Sequence, residues 1–267
     1  VSTPPNLVRR GEGVPLIAIH GNGVDHRLLL ALDDCLADTG RWERIYLDLP
    51  GFGGTPPLDG IGGLPELADW VVGTVRGLVG SRSFGLLASS LGGLLARHVI
   101  AQLGSQVLGA ALIAPVVDPD AARRRRPAQV VAERDDDLLR SLPPADRDEF
   151  TGVAVRQVGA SWEAFRRHAL PGIRAADPDA MERLSQRYFL TRAPESGAPP
   201  FAGPVLVVTG RQDHIVGYED QFDLLAHYPR ATYLALDNAG HNVHLEQPEQ
   251  VEAALRVWSR ACGDARA

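Results

Sequence analysis

The chain has 267 residues, 45% of them apolar and 22% charged, with 28 Gly and 20 Pro, the composition of a folded globular protein and not of a disordered or collagen-like one. All 27 basic residues are Arg, and a chain without Lys has no Walker A loop, no pyridoxal Schiff base and no kinase phosphate lysine. A formal net charge of −6 argues against nucleic acid, whose binders carry a basic stripe or patch, and favours small-molecule partners.

In chain order, Val1 to Gly13 carries Pro4, Pro5, Arg9 and Arg10 without the apolar run of a secretion signal, and no stretch approaches the roughly 18 apolar residues of a membrane span. A cytoplasmic protein with no membrane or nucleic-acid partner is expected. Pro15 to His20 predicts a strand, Arg27 to Ala37 a helix, Arg44 to Leu49 a strand, and Leu64 to Leu78 a helix. Phe84 to Ser89 then predicts a strand, Leu91 to Leu103 a helix, and Val107 to Ala114 a strand, each from its apolar spacing. From Val117 to Pro200 the rhythm breaks into an Arg-, Asp- and Glu-rich stretch bracketed by Pro119 and by Pro194 to Pro204, which predicts a helical insertion. Within it, Arg123 to Arg126 reads as a solvated helix face followed closely by Asp135, Asp136 and Asp137. Pro204 to Thr209 and Ala231 to Leu236 predict further strands, Tyr218 to His227 and Pro248 to Ala261 further helices.

Strands alternating with helices imply right-handed βαβ units: an α/β fold with a mostly parallel, doubly wound sheet and a helical cap insertion. The predicted division is a core of residues 1–116 and 201–267 and a cap of residues 117–200. Cys35 and Cys262, far apart and inside predicted helices, form neither a disulfide framework nor a CxxC motif.

The chemistry centres on Ala88-Ser89-Ser90-Leu91-Gly92-Gly93, where a strand turns sharply into a helix, the layout of a nucleophile elbow. Such a turn brings strand and helix so close that small residues are needed two places either side of the nucleophile. Ser90 has Ala88 and Gly92 there, whereas Ser89 would have Leu91. Ala88 stands where the usual motif has Gly, and the hexapeptide alone reads equally as a Ser/Gly-rich turn before a helix. Downstream, Asp213 and His241 each follow a predicted strand. The order serine, acid, histidine at strand carboxyl ends is the order of a hydrolytic triad on an open parallel sheet, whose ligands bind outside those ends.

With His20-Gly21-Asn22-Gly23 after the first long strand and Asp48-Leu49-Pro50-Gly51-Phe52-Gly53 after the second, the chain resembles the α/β-hydrolase superfamily, in its cap-bearing branch of serine esterases and carbon–carbon hydrolases. The resemblance spans nearly the whole chain. It implies Ser90 as nucleophile, His241 as its base and Asp213 as the residue that orients the imidazole, with the backbone N–H groups of Leu91 and Asn22 as oxyanion donors. Asp118 occupies the place from which some relatives supply the acid, and Asp237 lies in the histidine's own loop. His20 is expected to be a buried residue of its turn, and His214, His227 and His244 to lie at the surface or the pocket rim. No metal and no cofactor is implied, since no carboxylate or thiol cluster accompanies His241 and His244.

Serine at the elbow implies acyl transfer: hydrolysis of an ester, lactone or thioester. Carbon–carbon cleavage of a dienone acid is the alternative, although relatives with that activity commonly have Asn before the serine and Trp after the histidine, where this chain has Ser89 and Asn242. A small-ligand receptor on the same fold is a third reading. Phe52 from below and Trp162, Phe165, Tyr188 and Phe189 from the cap are expected to line an apolar pocket, although the cap aromatics read equally as packing the cap onto itself.

Overall fold

The apolar runs become the strands of one seven-stranded sheet in a computed structural model that describes residues 3–264. In chain order the strands are β1 (Leu7–Arg10), β2 (Val14–Ile19), β3 (Trp42–Leu47), β4 (Phe84–Ser89), β5 (Val107–Ile113), β6 (Glu133–Arg134), β7 (Arg156–Gln157), β8 (Val205–Gly210) and β9 (Ala231–Leu236). The sheet runs β1-β3-β2-β4-β5-β8-β9 and is parallel except for β1, which pairs antiparallel with β3. The two-residue strands β6 and β7 pair with each other inside the insertion, where the sequence predicts only helices.

Successive residues of the central strands enter opposite apolar layers, which is how helices come to cover both faces. Ile17, Leu86, Leu112 and Val207 point into one layer, with the helices Leu64–Val79 and Leu91–Leu103. Their neighbours Leu16, Leu87, Ile113 and Val208 point into the other, with Asp33–Ala37 and Pro248–Asp264. Buried on both sides, these strands read as continuous apolar runs and not as alternating ones.

Other elements also differ from the expectations. Strand β1 is half-exposed at the sheet edge and its Arg9 and Arg10 pair with Glu43 and Asp33, so it lacks the apolar signal of a buried strand. The stretch Arg27 to Ala37 forms two short helices, Arg27–Leu30 and Asp33–Ala37; the buried carboxylate of Asp33 accepts from Arg44, Arg10 and Tyr46. Tyr218 to His227 divides into an α-helix, Glu219–Asp223, and a 3₁₀ turn, Leu224–His227.

Between β5 and β8 the chain forms the helices Asp136–Ser141, Pro144–Thr151, Gly159–His168, Leu170–Ala175 and Pro178–Gln186. Phe150, Trp162, Phe165 and Leu170 build an apolar cluster there that includes Leu28 and Leu245 from outside the segment. Its far end is fastened by Arg97, fully buried on the helix after β4, which donates to both carboxylate oxygens of Glu195 at 2.6 and 2.8 Å and to the Val116 carbonyl. Burial pushes the Glu195 carboxyl up, but Arg97 and the Tyr228 hydroxyl outweigh it and hold the group at about 2. No helix of the described residues is long and apolar enough to cross a membrane.

Candidate active site

Where β4 ends, Ser90 takes φ 54° and ψ −119° before the helix Leu91–Leu103 begins. That conformation is strained for a residue with a Cβ. Backbone hydrogen bonds hold it: the Ser90 N–H donates to Ile113, and its carbonyl accepts from Gly93, Leu94 and Val116. A Cβ at Gly92 would collide with the Ile19 and His20 carbonyls, the close strand–helix approach that sets the elbow's demand for small residues.

The acid and base loops meet over the end of β8, where a Cβ on Gly210 would strike the Ala239 and Gly240 carbonyls. Asp213 is fully buried; its Oδ1 accepts from the N–H groups of Ile215 and Val216 at 2.8 and 3.0 Å, leaving Oδ2 for His241 Nδ1 at 2.9 Å. His241 Nε2 then faces Ser90 Oγ at 2.9 Å. With Nδ1–H donated to Asp213, Nε2 presents its lone pair to the serine hydroxyl, the protonation pattern a general base requires. The other two acids lie elsewhere: Asp118 pairs with Arg123, and Asp237 accepts from Gln212.

Sequence reasoning missed Glu246. This buried carboxylate accepts from the N–H of Gly240 at 2.6 Å, next to His241, and from Val155 and Arg156 of the insertion at 2.7 and 2.9 Å. Burial pushes its carboxyl up against the opposing effect of those donors. It joins the histidine loop to the insertion through contacts with no sequence periodicity.

A cavity of about 250 Å³ opens over Ser90, bounded on the sheet side by Gly21, Asn22, Ser89, His241 and Asn242. From the insertion come Glu149, Val153, Phe165, Ala169, Ile173 and Met181. Larger clefts of about 360 Å³ along Leu190 to Phe201 contain none of Ser90, Asp213 or His241. Neither the Asn22 nor the Leu91 N–H donates to an acceptor among the described residues; Leu91 heads its helix, where first-turn donors lack intrahelical partners.

Of the expected pocket aromatics only Phe165 lines this cavity. Phe52 is buried beneath it, edge-on to His20 with ring centroids 5.6 Å apart. Trp162 packs on Phe150 and Phe165 inside the insertion, Tyr188 packs against the first apolar layer, and Phe189 is exposed beneath the Arg187 guanidinium. Apolar spacing suggests a buried face but not its partner: for Phe52, Trp162 and Tyr188 the partner is other protein, and Phe189 is not buried at all.

His20 is buried as expected, donating from Nδ1 to the Gly21 carbonyl and accepting the Leu49 N–H at Nε2. His244 differs from its expected rim position: it is buried behind Leu28, and burial pushes its imidazole down to about 3. Asp25, His26 and Asp48 cluster closely enough for a cation. Their carboxylates are already engaged, Asp48 by the His26 and Gly54 N–H groups, the His26 ring and Asn6, and Asp25 by Arg27.

A family model described as alpha/beta hydrolase fold matches residues 14–248. The chain is similar to a Pimeloyl-[acyl-carrier protein] methyl ester esterase of Shewanella woodyi, 25% identical over 265 residues that cover 93% of this chain and 94% of the relative. It is also 24% identical to the (E)-2-((N-methylformamido)methylene)succinate hydrolase of Acinetobacter baylyi, over 93% of this chain and 91% of the other. Among solved structures, an alpha/beta superfamily hydrolase from Oenococcus oeni PSU-1 superposes with a TM-score of 0.90 at 25% identity, covering 97% of each chain. The chain therefore belongs to the α/β hydrolase fold family, as an enzyme of the hydrolase class with an esterase among its relatives.

Proposed function

We propose that the chain is a serine hydrolase that cleaves small carboxylic esters, lactones or thioesters through an acyl-Ser90 intermediate, beneath a cap formed by residues 117–200. The observation that carries this reading is the unbroken relay from Ser90 Oγ to His241 to Asp213, with 2.9 Å at each step. As Ser90 attacks the acyl carbon, its proton passes to His241 Nε2; the imidazolium, stabilised by Asp213, returns that proton to the departing alcohol or thiol. Water activated by the same imidazole then releases the acid and restores Ser90. Charge on the tetrahedral intermediate falls to the N–H groups of Asn22 and Leu91, each such donor being worth about 3–4 kcal/mol in the transition state. Support also comes from the methyl ester substrate in the name of the Shewanella relative. The reaction needs no cofactor or metal.

The test is turnover of a p-nitrophenyl short-chain ester together with fluorophosphonate labelling read by peptide mass spectrometry. The expected result is hydrolysis by the wild type, none by Ser90→Ala, and an adduct on Ser90 alone. A stoichiometric ligand without turnover would favour the receptor reading; an adduct on another residue would move the nucleophile.

A further inference from the structure

We infer that the cavity over Ser90 selects its acyl group by charge, taking neutral or cationic groups and rejecting anionic ones, and that Glu149 is the residue that sets this selection. The inference rests on the reading of that cavity as the acyl site. Although the chain has 27 Arg, none lines the cavity, and its only acidic or basic side chains are those of His241 and Glu149. A carboxylate on the substrate would therefore meet no counter-charge in the cavity lining, and the one carboxylate it would face is that of Glu149.

The surroundings of Glu149 sharpen the point. It lies near the carboxyl end of the helix Pro144–Thr151, where the helix dipole is negative. The two other acids between positions 146 and 148 are compensated, Asp146 by Arg174 and Asp148 by Arg147. Glu149 has neither a hydrogen bond nor an ion pair from its side chain among the described residues. Glu149 is exposed yet lines the cavity, which places it at the open end, where a group at the far tip of an acyl chain would arrive. An ammonium there gains a partner, a methyl is tolerated, and a carboxylate is repelled.

Binding can be measured apart from turnover by calorimetry on the Ser90→Ala protein with three anilides of matched length: valeranilide, glutaranilic acid and 4-aminobutyranilide. The expected order is cationic at least equal to neutral, with the anionic probe about tenfold weaker than the neutral one, the size of effect for like charges at a partly screened site. Adding Glu149→Gln should bring the anionic-to-neutral ratio within about twofold, and Glu149→Arg should invert it. Equal binding of anionic and neutral probes, an unchanged ratio in Glu149→Gln, or failure of the neutral and cationic probes to bind overturns the inference. Phenyl valerate and monophenyl glutarate, assayed with Ser90 intact, separate the two claims. If the binding order holds and neither ester turns over, the hydrolase reading fails while the selection stands; turnover of both at equal efficiency does the reverse.

Discussion

Asp213 accepts from two backbone donors and faces His241, so in the proposed mechanism it would hold one tautomer of the imidazole. Asp213→Asn keeps the shape but presents the wrong partner to Nδ1. Activity on a short ester should fall by a factor on the order of 10⁴ with an unchanged circular dichroism spectrum, whereas Asp118→Asn, remote from His241, should retain it. Glu246→Gln removes one acceptor from a carboxylate that serves three N–H groups and turns an amide donor toward them. The expected cost is about 1–3 kcal/mol of stability in denaturant titrations, with a lower kcat, because the Gly240 N–H next to His241 is among those released. That Ser90, Asp213 and His241 could come together was legible because each follows a strand; the structure brings the three side chains within hydrogen-bond distance, and their roles are those proposed above. Glu246 carries no such signal, since its contacts come only from what the fold brings against it.

At the level of elements, the parallel strands and the helices Leu64–Val79, Leu91–Leu103 and Pro248–Asp264 were legible nearly to their ends, since apolar spacing is a direct consequence of burial. Strand β1 was not, because an edge strand pairs through its backbone and needs little apolar surface. The insertion was legible as helical but not in its facing: Phe165 reaches the cavity while Trp162, three residues earlier in the same helix, packs behind it. Phe165→Ala should therefore change the ratio of kcat/KM between short and bulky acyl esters, and Trp162→Ala should lower the melting temperature without altering that ratio. The insertion's far end depends on the buried Arg97–Glu195 pair, and Glu195→Ala strands a buried guanidinium at a cost of about 3–5 kcal/mol. The native carboxyl of Glu195 lies well below its ordinary value of 4.5. Its contribution to stability is thus complete above that value and is lost as pH falls from there towards about 2. Thermal melts across that window should show a smaller acid-induced loss in Glu195→Gln than in the wild type.

For the molecule as a whole, a sheet buried on both faces leaves the strand carboxyl ends open to a ligand, and the 117–200 segment contributes six of the fifteen residues that line the cavity there. The resulting cavity of about 250 Å³ lies below the roughly 300–1,000 Å³ of drug-sized pockets. Efficiency on a p-nitrophenyl ester series should peak at short acyl chains and fall beyond about eight carbons, the length at which a chain outgrows such a space; a rising trend through dodecanoyl would place the acyl group elsewhere.

The layer opposite the helix that follows Ser90 has a consequence for chemical reactivity. Cys35 and Cys262 both lie in it, almost wholly buried, and burial pushes each thiol up to about 12. Alkylating reagents attack the thiolate, so native protein should be inert to iodoacetamide at neutral pH. Because the same layer contains no residue from 117–200, breathing of the insertion leaves both sulfurs masked. Carbamidomethylation followed by intact-mass spectrometry therefore acts as a clock for rupture of the sheet's interior alone. Doubly modified chains should appear without a singly modified species; a build-up of the latter would mean that the helix Pro248–Asp264 peels away before the rest of the layer opens.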